Sequence, residues 1–170
     1  MTAPSPQSGR ATIGASPSLW SVSATVLLAS ITHAYESGTP AFVVGAIIIA
    51  ILFALSSHYH RTGHRLALVL YGLLNLWVIG GFGVVGGLWN HAVKVAISAV
   101  NDGALPVVVE RFFMSPDLGS AMYEVVGILT FAASMFAAWF GYRFARAVPW
   151  TARADSPGPG AVDAAPGAGV

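Results

Sequence analysis

The chain has 170 residues, of which 55% are hydrophobic and only 9% charged, with a mean hydropathy of +0.70. A soluble domain carries roughly a quarter charged residues, so this composition belongs to an integral membrane protein whose first partner is the lipid bilayer. A net charge of +1 supplies no extended basic field and argues against nucleic acid, and the lack of cysteine excludes disulfides, thiolate metal sites and thiol redox chemistry.

The first stretch, residues 1–18, is rich in Ser, Pro, Gly and Ala and carries only Arg10. It reads as a disordered tail, as does 147–170 with its tract SPGPGAVDAAPGAGV. No A-x-A-like site bounds the apolar run that begins at Leu19, so a retained first span is expected rather than a cleaved signal peptide.

Four membrane spans are predicted between the tails, at about 19–35, 41–57, 66–89 and 116–146. The first is interrupted by Ser21, Ser23, Thr25, Ser30 and Thr32, small hydroxyl residues that suit close helix packing and can bond back to their own backbone. The string Ser37-Gly38-Thr39-Pro40 reads as a turn, with Thr39 as N-cap and Pro40 at the first helical position of the second span. Five glycines, at 80, 81, 83, 86 and 87, fill the second half of the third. Gly83 and Gly87 form a small-xxx-small pair suited to helix contact.

Helical periodicity continues past that span, but one helix over 66–100 would be about 52 Å long against a hydrocarbon core of about 30 Å. A break or bend at Gly86-Gly87 is therefore expected, with 88–100 as a short amphipathic segment lying at the interface or projecting from it and Asn101-Asp102-Gly103 as a turn. Ser115-Pro116-Asp117 signals the start of the fourth span. Short turns and one longer connection make this an all-α up-down bundle of four transmembrane helices.

Lys and Arg set the orientation. With both termini cytoplasmic, Arg10, Arg61, Arg65, Arg143, Arg146 and Arg153 lie inside and only Lys94 and Arg111 outside. The same topology places His33 and Glu36, His91 and Lys94, and Glu124 at the outer ends of the first, third and fourth spans. Ionisable groups near a bilayer core are expensive and usually have partners or work to do.

One reading of this cluster is a metal site of His33, His91, Glu124 and Glu36, flanked by Asn90, Lys94, Tyr35 and Tyr123. Imidazole and carboxylate together suit zinc, iron or manganese, and haem held between His33 and His91 is a related possibility. A second reading is structural, with the same groups forming a polar network that fixes helix packing. Under a third they form part of a proton or small-ligand path.

The run His58-Tyr59-His60-Arg61-Thr62-Gly63-His64-Arg65 reads as a basic cytoplasmic turn against anionic headgroups. No nucleotide-binding glycine loop, H-E-x-x-H or G-x-S-x-G motif marks the chain as an enzyme. One four-helix unit offers little room for a transport path unless it joins a homo-oligomer or a larger membrane complex.

Three patterns recur at these residues: H-x-Y-E at 33–36, G-x-W-N-H-x-x-K at 87–94, and P-D-L followed by Y-E-x-x-G at 116–127. In combination they resemble a group of uncharacterised bacterial four-span inner-membrane proteins. The resemblance implies the architecture and the bacterial inner membrane, and it implies no activity.

Overall fold

The computed structural model describes residues 17–114 and 118–148. Among them every regular element is helical: α1 (Pro17–Ser37), α2 (Pro40–Thr62), α3 (Arg65–Ala99), the single turn α4 (Val107–Glu110) and α5 (Ala121–Ala147). Three of these, α2, α3 and α5, are long and apolar enough to cross a membrane. The tails expected at 1–18 and 147–170 lie outside the described residues, except that Pro17, Ser18 and Ala147 are helical and Val148 is buried.

α1 has the length of a span but not the apolar composition. Three of its hydroxyls are turned onto the preceding turn of their own helix: Thr25 donates to the Ser21 carbonyl at 3.0 Å, Ser30 to Val26 at 2.8 Å and Thr32 to Leu28 at 3.1 Å, whereas the buried Ser23 Oγ finds no partner among the described residues. Donors satisfied in this way no longer need water. The face carrying Leu19, Val22 and Val26 packs against α5 and α2.

Thr39 stands before Pro40 as predicted, but its side chain caps nothing. α2 runs a turn beyond the expected end at 57, so His58, His60 and Arg61 are helical rather than part of a loop. Gly63 closes it in the left-handed region at φ 68°, where its N–H donates to the Tyr59 carbonyl at 2.8 Å. The reversal brings the His58 and His64 rings to 6.2 Å between centroids.

The helix is not broken at Gly86-Gly87. α3 continues to Ala99, and its stretch Ile79–Val93 is wound as π-helix, which is wider and rises less per residue than α-helix. The winding also changes the register. Buried residues run 67, 68, 71, 75 and 78, then step by five to Gly83, and go on through Gly87, Asn90, His91, Lys94 and Ser98.

An unbroken 3.6-residue period from Val78 would instead bring Phe82, Val85 and Trp89 inward. The glycines give the shift its reward in packing. A Cβ at residue 87 would lie 2.6 Å from the Phe131 nitrogen and 2.8 Å from the Gly127 oxygen, and one at 83 would strike the Ser134 side chain. Only glycine allows α3 and α5 to approach this closely.

Pairwise contacts fix which ends meet. Ser18 Oγ lies 3.3 Å from the Tyr71 hydroxyl at the start of α1, whereas Glu36 near its end meets Tyr123 at the start of α5. The expected onset of the last helix at Ser115-Pro116-Asp117 falls outside the described residues. Residues 118–120 are not helical, and the cap is Ser120, whose Oγ accepts from the Tyr123 N–H at 3.3 Å.

Candidate functional site

The cap at Ser120 places Glu124 in the first turn of α5, where the helix dipole favours an anion. Its Oε1 accepts from the Gly119 N–H at 2.9 Å and from Lys94 Nζ at 2.8 Å. Its Oε2 accepts from His91 Nδ1 at 2.8 Å. Facing a carboxylate, Nδ1 carries the ring proton. Three donors from two segments therefore converge on one carboxylate.

All three side chains are buried, and Lys94 is 0% exposed. Its charge and that of Glu124 cancel, which is the condition under which ions are tolerated in so apolar a setting. The Tyr123 ring closes one side, with the His91 ring edge-on to it at 4.7 Å and Lys94 Nζ 5.6 Å from its centroid. Gly127, one turn on from Tyr123, leaves the space that the His91 ring fills. A methyl group there would collide with it.

His33 and Glu36 form a separate pair. They share the face expected from their i, i+3 spacing, with Nδ1 and Oε2 3.7 Å apart, and both are half-exposed. His33 packs edge-on against Phe82 at 5.8 Å. The Tyr123 hydroxyl donates to Glu36 and so ties α1 to α5. Tyr35 touches this group only through its ring, edge-on to Tyr123 at 5.8 Å.

The predicted metal set is thus divided. His91 and Glu124 come together, His33 and Glu36 come together, and among the described residues no group of three or more His, Asp or Glu side chains could hold a metal ion. The Lys94 ammonium occupies the coordination space on Glu124 that a metal would need. Between the pairs lies a cavity of about 30 Å³ bordered by Thr32, His33, Glu36, Asn90, His91 and Tyr123. That is room for one or two waters, and far too little for haem between His33 and His91.

Asn90 also has a different task from the one expected. Its Oδ1 accepts from the Met114 N–H at 2.9 Å, and beside it Trp89 Nε1 donates to the Phe112 carbonyl at 2.8 Å. Both bonds hold the chain that follows α3 back against that helix. Sequence reasoning missed Ser120 and the Gly119 N–H, because Ser115-Pro116-Asp117 is the louder start signal. Gly127 was visible within the Y-E-x-x-G pattern, though its role as a seat for imidazole was not.

Comparison of the chain with protein-family models, with curated proteins and with solved structures gives no match.

Proposed function

We propose that this chain is a four-span protein of the bacterial inner membrane, with both termini cytoplasmic, acting as a structural or accessory membrane component whose polar cluster locks helix packing. One observation carries the reading: both oxygens of the Glu124 carboxylate already accept from groups of the fold itself, Lys94 and the Gly119 N–H on Oε1 and His91 on Oε2. A site built to take a ligand keeps acceptor or donor capacity free. Here the capacity is spent on joining α3 to α5, while Glu36 and Tyr123 join α1 to α5.

The hydroxyls of Thr25, Ser30 and Thr32, bonded back to their own helix, support α1 as the fourth span, because side chains satisfied in this way can enter hydrocarbon. The opposed end contacts, Ser18 with Tyr71 and Glu36 with Tyr123, are those of an up-down bundle, and six Arg against Lys94 and Arg111 support the orientation. The resemblance to four-span inner-membrane proteins points the same way.

The test pairs stability with content. Purified in mild detergent, the protein should carry no stoichiometric metal and no Soret band, and Glu124→Gln should lower its unfolding midpoint. A stoichiometric metal that His91→Ala removes while the fold stays intact would replace the structural reading with a ligand site.

A further inference from the structure

We propose that residues 104–114, which follow α3, form a bilayer-docking strap, in which Val107, Val108, Phe112 and Met114 insert at the boundary between lipid headgroups and acyl chains. The proposal rests on the spanning reading above. These four side chains are 82%, 70%, 57% and 73% exposed, an apolar cluster within eight residues that nothing among the described residues covers. Their backbone is nevertheless anchored.

Phe113 and Leu105 are buried, Phe113 stacks on Trp89 with ring centroids 5.5 Å apart and planes within 19°, and the Trp89 and Asn90 side chains hold the Phe112 carbonyl and the Met114 N–H. The apolar side chains therefore project from a fixed position.

The depth of that position follows from α3. Trp89 stands 24 residues beyond Arg65, which is about 36 Å at α-helical rise and less through the π-wound stretch. Measured from a basic turn at one face, this reaches the far boundary of a core of about 30 Å, the level at which tryptophan concentrates. The strap is tied to the helix at that level. On this measure Val100, eleven residues further and just past the end of α3, lies clear of the boundary in water, and the chain returns from there through the polar turn Asn101-Asp102-Gly103.

The chemistry of the strap suits lipid better than a protein partner. Its apolar cluster is tied to the half-exposed Trp89 on the helix through Phe113 and the Phe112 carbonyl, and the guanidinium of its one cation, Arg111, lies over the Phe112 ring at 5.1 Å. A guanidinium held beside an apolar ring at the boundary is placed to reach lipid phosphate with a small change of side-chain rotamer.

The cysteine-free sequence permits a direct test in the whole protein. Single variants Val108→Cys, Phe112→Cys, Val100→Cys and Ile47→Cys, each carrying a nitroxide, are reconstituted in vesicles of phosphatidylcholine and phosphatidylglycerol. Collision rates with oxygen and with nickel ethylenediaminediacetate are then compared. Phe112 is held through its carbonyl, so losing its side chain leaves that bond in place.

The expected oxygen-to-nickel ratio at 108 and 112 is several-fold above that at 100 and approaches that at Ile47 on the exposed face of α2. A ratio at 108 and 112 equal to that at 100, with 47 still in lipid, overturns the strap and leaves the spans standing. Labels at 108 and 112 that neither reagent reaches place a protein partner there and also overturn it. Nickel access at 47 instead removes the spanning reading itself.

Discussion

At the scale of single residues, the decisive feature is the convergence of three donors on one buried carboxylate. A buried ion pair adds little net stability over an apolar pair of the same volume, but breaking it by removing one partner leaves an uncompensated charge and costs about 3–5 kcal/mol. Lys94→Met and Glu124→Gln should each show a loss of that order in detergent unfolding. The double variant Lys94→Met/Glu124→Gln carries neither charge, and a glutamine can still accept from His91 or the Gly119 N–H, so it should be more stable than either single variant. Additive losses would mean that Lys94 and Glu124 are not coupled, and would remove the lock from the proposed function. Ser120 offers a smaller, independent check. Ser120→Ala deletes the acceptor for the Tyr123 N–H and should cost about 0.5–2 kcal/mol, read as a lower unfolding midpoint with the Lys94–Glu124 coupling retained.

At the scale of elements, α3 is where sequence and structure part company, and the reason is physical. The glycine-rich half of the helix has few side chains to betray which way it faces, so a period of 3.6 looked as good as any other and length alone suggested a bend. What decides the matter is a contact between helices: the π-wound stretch turns Gly83 and Gly87 toward α5 and carries Asn90, His91 and Lys94 inward behind them. The charged members of the site were legible because each stands out in an apolar chain. Their grouping was not, since i, i+3 spacing joins His33 to Glu36 but says nothing about whether that face of α1 looks toward His91. Two glycines on α3 test the account. Gly87→Ala forces a methyl into the Phe131 and Gly127 backbone and should destabilise by about 1–3 kcal/mol. Gly72→Ala meets nothing within 4 Å, and the better helix propensity of alanine should leave it neutral or stabilised by up to about 1 kcal/mol. Equal effects at the two positions would show that close approach, and hence the shifted register, does not hold α3 to α5.

For the whole molecule the open question is how many helices cross, and α1 decides it. In lipid there is no hydrophobic drive between apolar helices, so a bundle is held by close packing and by polar contacts across it. α1 is equipped for both: Gly45 of α2 sits against its Ser30, where a Cβ would collide, and Glu36 is tied to Tyr123. A helix of 21 residues is about 31 Å long, enough to span a core of about 30 Å. If α1 crosses, the N-terminus and the α1–α2 turn at Gly38 lie on opposite faces of the membrane; if it rests on the surface beside three spans, they lie on the same face. An epitope at the N-terminus and another inserted after Gly38, each probed by protease in sealed inner-membrane vesicles of known orientation, separate the two cases. The expected result is an epitope at Gly38 protected where the N-terminal one is cut, and in vesicles of reversed orientation the converse. With Arg61 and Arg65 inside, as in the proposed orientation, an outer location for the Gly38 epitope also reports that α2 crosses, so a shared outer location for both epitopes reduces the count of spans to three through α1 alone.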